Sequence, residues 1–514
     1  MPTTDPPSDA GTDPSSAAGS EPPAEPGSVL DPGIPDALLT EYIPFDAVEL
    51  SDAERWPSLT PVDLQRVLAA RAHPHAPAWR HETGDRLTAA DHEILAQRAE
   101  NGECTAQGQG QPAWIADLID RVHGTVPRYR RASRQGQSTV SSPLSTLPLV
   151  SRADLMSDMA SHVDLTIPLD RVLEGSSSGS SGAALTVPLH PVTLASDLML
   201  IRALVQETGA TWEADSSRFG LALVTDQRAV FTYVSALTAL PRPSGQDVSL
   251  MARINLDEDA WRAPGDREAW LAEHDPQVIS SATLPLLRLL ELARNGLDLH
   301  PLAVVNGATH LTTAVRQAVS DTWDVPVIDL YGLRETGPIA VAHTADAERN
   351  AHVILASRRV YVEILDADGE PVSAGERGEV VVTVDENPYL PLLRYRTGDF
   401  AALREGPRGH EVVGLEGREP VAFRDVSGRL RPSVDAAQVL QACGLLAWHL
   451  DQNEAGGVLL RGLAAGDSAA RRDAVTQAGE AISRWLELPV RTEVLSEAAE
   501  LGEGKPRRFS SSGP

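Results

Sequence analysis

Lysine is almost missing from this sequence. Lysine and arginine together number 44 in 514 residues, and a single one, Lys505, is lysine. Cysteine is nearly as scarce. Cys104 and Cys443 are two thiols far apart in the chain, too few for a disulfide framework or a thiolate metal cluster. No apolar run approaches the roughly 20 residues that cross a bilayer. Met1–Gly33 has neither the basic start nor the apolar stretch of a secretory signal. A soluble cytoplasmic protein is the expectation these absences set. Basic charge is also short, with 72 acidic residues and a net charge of −28. Such a surface repels nucleic acid and anionic lipid, so neither is expected as a partner. A pocket for an anionic ligand has to be built locally against that field.

The arginine bias itself needs no function, since a GC-rich coding sequence produces it. Its one exception is informative. Lys505 is either a chance survivor in a polar tail or a position where a compact ammonium on a flexible stem is required.

What is present suits a large core and more than one domain, with 42% hydrophobic residues. Residues 1–36 are rich in Pro, Ser, Ala, Gly and Asp, and are expected to stay disordered. From about Thr88 the pattern is helical, with Ile94 and Leu95 in a first segment and Ile115, Leu118, Ile119 and Val122 in a second. Between about 140 and 415, β-rich runs (Phe219–Val224, Leu302–Val305, Val325–Leu330) alternate with helical patterns such as Leu284–Ala293. That alternation argues for α/β layers. Arg358–Val384 reads as an antiparallel unit turning at Asp366-Ala367-Asp368-Gly369. After Gly417-Arg418 a smaller segment follows. The expected fold class is α/β: a large N-terminal α/β nucleotide-binding domain (37–417) with an antiparallel β unit, and a small mobile C-terminal α+β domain (418–514).

Three motifs carry chemistry. Gly175-Ser176-Ser177-Ser178-Gly179-Ser180-Ser181-Gly182 lets backbone N–H groups and hydroxyls converge on phosphate oxygens, although such runs also serve as linkers. It is not a Walker loop, because no Gly-Lys-Ser/Thr ends it. Tyr331-Gly332-Leu333-Arg334-Glu335-Thr336-Gly337 follows a β-rich run. An aromatic, a glycine and a carboxylate there suit a base, close approach and Mg²⁺. Tyr395-Arg396-Thr397-Gly398-Asp399 places an Asp beside a tight turn, where it can accept from ribose hydroxyls or pin the turn through an Arg–Asp pair.

In this order, with Gly417-Arg418 and Gly504-Lys505-Pro506-Arg507-Arg508, the motifs resemble the adenylate-forming superfamily of acyl- and aryl-CoA ligases, adenylation domains and luciferases. Val126-Pro127-Arg128-Tyr129-Arg130 and Leu147–Leu155 are similar to the phenylacetate–CoA ligase branch. The resemblance covers about 110–509. It implies an ATP-dependent ligase that makes an acyl-adenylate from a carboxylic acid, with an aromatic acid favoured, and passes the acyl group to an acceptor. Its cofactors would be ATP and Mg²⁺, with CoA among the acceptors. Ser177, Ser178, Gly179, Ser180, Ser181 and Gly182 would cradle the phosphates. Asn306, Gly307 and Ala308 would lie along adenine and acid, and the Phe231-Thr232-Tyr233 segment would face them across the acid. Tyr331 would stack on adenine beside Gly332, Glu335 would hold Mg²⁺, and Asp399 would bind the ribose. Arg418 would contact ribose or phosphate, and Lys505 would be the catalytic lysine.

Three departures matter. Ala183-Ala184 follow the glycine-rich loop where the family has Lys-Pro. Arg334 stands where it has Thr or Ser, and could supply the missing cation. Pro420 stands at the hinge position, where the family has Asp or Lys. A φ locked near −65° suits an enzyme that swings its small domain poorly, which favours an amine or other small nucleophile as acceptor. CoA thioester formation and a non-catalytic nucleotide-binding relative are the alternatives.

Overall fold

The computed structural model describes residues 50–101, 111–136, 139–177, 185–228, 230, 232–242, 245–347, 349–417, 421–502 and 506–512. The expectations for residues 1–36, for Phe231, for residues 178–182 of the glycine-rich loop, and for Arg418, Pro420 and Lys505 fall outside these residues.

One twelve-stranded sheet organises the larger part. Five strands run parallel, in the order Leu250–Asn255, Leu221–Thr225, Val278–Ser281, Ala303–Gly307 and Val327–Leu333. Their side chains face helices on both sides, so the strands read as apolar runs such as Ala303-Val304-Val305, all buried. Tyr233–Ala236 closes one edge antiparallel to Leu250–Asn255. Beyond Val327–Leu333 six antiparallel strands continue the same sheet: Gly337–Ala342, Ala351–Ile354, Gly409–Glu416, Leu392–Gly406, Arg377–Val384 and Val360–Leu365. The antiparallel unit of Arg358–Val384 is therefore the far end of the main sheet rather than a body of its own.

Helices form where the apolar spacing is helical. Trp114–Thr125 buries Ile115, Leu118, Ile119 and Val122. Thr283–Arg294 buries Leu286, Leu287, Leu289 and Leu290 against the parallel strands. Among the helices that went unforeseen are Asp52–Arg55 and Pro61–Arg71. The second has Thr60 as N-cap and Pro61 at its first position, and buries Val67 and Ala70. It is held by Asp63, whose carboxylate takes two bonds from Arg242, at 2.9 and 3.1 Å.

From residue 421 onward the chain builds a four-stranded sheet. Leu445–Gln452 pairs antiparallel with Val458–Ala464, and each has a parallel partner, Phe509–Ser511 and Val490–Val494 respectively. The helices Ser433–Ala442 and Ser468–Leu486 cover it, packing Leu440, Leu450, Leu460, Ile482 and Leu486 into a separate core. This unit rests on the larger part through Leu446, Ala447, Leu463 and Leu495, which join the core around Leu286 and Leu290. Thr312 Oγ1 donates to the carbonyl of Leu446 at 3.1 Å across the same junction. Among the described residues no helix is long and apolar enough to cross a membrane.

Candidate active site

A cleft of about 2220 Å³ opens between the C-terminal ends of the parallel strands and the small unit. This is where an open α/β sheet places ligands. Tyr331-Gly332 ends the strand Val327–Leu333, and the chain turns straight back into Gly337–Ala342. Glycine is required at both ends of that turn. A Cβ on Gly332 would lie 2.4 Å from the carbonyl oxygen of Gly337, and Gly337 itself has φ +67°. Leu333 N donates to Thr336 Oγ1 at 3.2 Å. The tight turn aims Tyr331, Arg334 and Glu335 at the cleft.

Tyr395-Arg396-Thr397-Gly398-Asp399 lies in the strand Leu392–Gly406. Thr397 Oγ1 donates to the carbonyl of Val380 and accepts from Asp399 N, and Gly398 has φ +77°. Arg396 is spent on Glu379, its Nε donating at 2.8 Å, so it is not the partner of Asp399. Tyr331 is: its hydroxyl donates to Asp399 Oδ2 at 3.0 Å. Tyr395 donates to Glu335 Oε1 at 2.6 Å. Two motifs about sixty residues apart are thus joined by two tyrosine–carboxylate bonds. The Leu147–Leu155 segment is laced to the same strand, with Val150 N donating to the carbonyl of Arg394 and Arg396 N to that of Val150. That lacing brings Arg152 Nη1 to 3.8 Å from Glu335 Oε1.

Glu335 is 3% exposed, and its Oε2 has no hydrogen-bond partner among the described residues. A buried carboxylate oxygen left over on a cleft wall suits a hard cation. No cluster of three or more His, Cys, Asp or Glu side chains that could hold a metal occurs among the described residues. A cation here would be shared between one carboxylate and the phosphates of a ligand, which is how Mg²⁺ is usually held.

Of the other expected residues, Gly307 and Ala308 line the cleft, and Ala308 takes a positive φ of +67°. Asn306 does not. It is 0% exposed, and its amide donates to Asp329 Oδ1 at 2.7 Å and to the carbonyl of Thr309 at 2.8 Å. It braces the loop behind Gly307-Ala308 instead of lying along a ligand. Tyr233 lines the cleft, whereas Thr232 is buried and donates to the carbonyl of Ala78. Ser177 ends a strand, Leu173–Ser177, paired antiparallel with Leu185–Leu189.

The cleft beside Tyr233 has a wall that the sequence did not reveal. Residues 77–88 run as a strap over Tyr233, with Arg80 N and His81 N both donating to the carbonyl of Thr232 at 3.2 Å. The His81 and Tyr233 rings meet edge to face at 6.2 Å. Asp85 also faces the cleft and accepts from Leu87 N and from the Thr238 hydroxyl. Burial outweighs those two bonds and pushes its carboxyl up to about 6. Opposite, Asp197 pairs with buried Arg358 at 2.8 Å beneath Gly337, and burial raises this carboxyl too.

Residues 244–386 match the AMP-binding enzyme family. The chain is 30% identical over 138 residues to a phenylacetate-coenzyme A ligase of Aromatoleum evansii, covering 26% of this chain and 31% of that one. It is likewise 30% identical over 141 residues to a phenylacetate-coenzyme A ligase of Pseudomonas putida, covering 26% of this chain and 32% of that one. The match thus spans about a third of the length of these relatives. In fold the chain is similar to a 2-hydroxyisobutyryl-CoA ligase in the postadenylation state, with a TM-score of 0.57 and 16% identity over 80% of this chain and 92% of that one. The preference for an amine acceptor drawn from Pro420 finds no support in these relatives, which are named as CoA ligases.

Proposed function

We propose that this protein is an adenylate-forming enzyme that activates a carboxylic acid with ATP and Mg²⁺ in the cytoplasm and passes the acyl group to CoA. One observation carries the reading: Tyr331–Asp399 and Tyr395–Glu335 hold an aromatic face and two carboxylates, from two distant motifs, in one cleft. In the first step a carboxylate oxygen of the acid attacks the α-phosphorus of ATP. The bond to pyrophosphate breaks, leaving acyl-adenylate and pyrophosphate. In the second, the CoA thiolate attacks the acyl carbonyl and AMP leaves, so the acyl–oxygen bond is exchanged for a thioester.

Tyr331 supplies the face for adenine, and its hydroxyl fixes the ring against Asp399, the acceptor for ribose hydroxyls. Glu335, oriented by Tyr395, is the carboxylate that would hold Mg²⁺, which supplies charge neutralisation at the phosphates when bound. Lys505 would bridge the attacking carboxylate and the α-phosphate as charge redistributes. The acid would lie between Gly307-Ala308 and Tyr233, under the strap. The leucines and methionine lining that compartment (Leu221, Leu223, Leu237 and Met251) suit an acid with an apolar or aromatic body.

The test is acid-dependent ATP–pyrophosphate exchange across a panel of aryl and fatty acids, followed by CoA thioester formation with each active acid. Exchange stimulated by none of the acids contradicts the reading. Exchange with acyl transfer only to amines restores the amine acceptor.

A further inference from the structure

Arg508 reaches the cleft from the small unit. Its backbone is fixed: the Arg508 carbonyl accepts from Leu450 N at 2.9 Å, and Phe509 pairs in register with Leu450. Its guanidinium carbon lies 5.7 Å from the Trp448 ring centre and 5.3 Å from that of Phe509. Two aromatic faces hold the cation electrostatically and consume none of its N–H donors. Nη1 is buried and has no acceptor among the described residues.

The neighbouring groups do not offer one. Glu416 is the carboxylate whose charge acts on Arg508. One of its oxygens takes the Ser433 hydroxyl, and the other takes Arg377 Nη2 at 2.7 Å. His310 faces Arg508 from the large part. Burial, and then the charge of Arg508, hold its imidazole well below the usual histidine range, so it is neutral at pH 7. Desolvation lowers Arg508 to about 10, which leaves it charged at neutral pH. A desolvated guanidinium with an unused donor is costly unless a ligand brings an oxygen to it. The planar fork matches phosphate geometry. The glycine-rich loop, continuing into Ala183-Ala184, offers no lysine for the same task.

We propose that Arg508 is a phosphate-binding residue of the cleft, donating to phosphoryl oxygens of the nucleotide or of a phosphate-bearing acceptor such as CoA. The inference rests on the adenylating function above, and its test reads binding apart from turnover. The full chain and its R508Q and R508K variants are titrated with ATP, with pyrophosphate and with CoA by calorimetry, and their thermal midpoints are measured without ligand.

Arg508→Gln should weaken ATP and pyrophosphate at least tenfold with an unchanged midpoint, and Arg508→Lys should recover part of the loss. Weakening of CoA alone assigns the phosphoryl group to the acceptor and keeps the proposal. Unchanged affinity for all three, or a lowered midpoint with affinities intact, overturns it and makes Arg508 a packing residue. If the wild type exchanges no pyrophosphate with any acid yet binds ATP through Arg508, the function fails and the phosphate site stands.

Discussion

At the residue scale, the pairing of tyrosines with carboxylates explains why motif order in the sequence was informative. Asp399 and Glu335 were legible as candidates because their motifs stood in family order. Their partners were not, because a hydroxyl sixty residues away leaves no local signal. The structure also reassigns two neighbours: Arg396 serves Glu379 rather than Asp399, and Asn306 serves Asp329. Asp399→Asn should raise the KM for ATP while leaving that for the acid within about twofold. Losing a charged acceptor costs on the order of 1.5–3 kcal/mol, about ten- to a hundredfold in affinity. An unchanged KM for ATP would leave Asp399 a turn residue. Lys505→Arg keeps the charge but not the compact ammonium. It should lower adenylate formation by about 10²–10³ with little change in substrate KM. Near-normal turnover would remove Lys505 from the chemistry.

At the scale of elements, three of the parallel strands (Leu221–Thr225, Ala303–Gly307 and Val327–Leu333) and the helices Trp114–Thr125 and Thr283–Arg294 were readable from apolar spacing, because each buries a continuous run or a helical stripe. The strap at residues 77–88 was not. It has no periodicity and is held by backbone bonds to Thr232. Asp85 in that strap gives it a pH signature. A carboxyl raised from 3.8 to about 6 on folding binds its proton more tightly in the folded state. The stability it contributes is full below about 3.8 and is lost as pH rises through that value to about 6. Asp85→Asn removes this loss. The variant's thermal midpoint relative to wild type should be higher at pH 8 than at pH 5, and an equal difference at the two pH values would show that Asp85 is not desolvated. In the Tyr331–Gly337 turn, Gly332→Ala sets a methyl against backbone and should destabilise by about 1–3 kcal/mol. An unshifted midpoint would mean that the turn relaxes freely.

At the scale of the whole molecule, the cleft exists because the small unit docks beside the strand ends through Leu446, Ala447, Leu463 and Leu495 and the Thr312–Leu446 bond. The sequence marked a change of character near Gly417-Arg418. It held no sign of which face of the small unit meets the sheet, since that depends on side chains brought together by the fold. Whether the acyl group goes to CoA is also a property of the assembled molecule. Pro420→Asp should leave pyrophosphate exchange nearly unchanged. If proline restrains the hinge, CoA thioester formation should rise; if wild type already forms thioester rapidly, the restraint is absent. If the cleft makes acyl-adenylates, ATP–pyrophosphate exchange measures that step without needing the acceptor. Exchange should depend on a carboxylic acid and on Mg²⁺ and fall at least a hundredfold in Glu335→Gln, whose fold should persist. Exchange that no acid stimulates, or that survives loss of the Glu335 carboxylate intact, would contradict acyl-adenylate formation in this cleft.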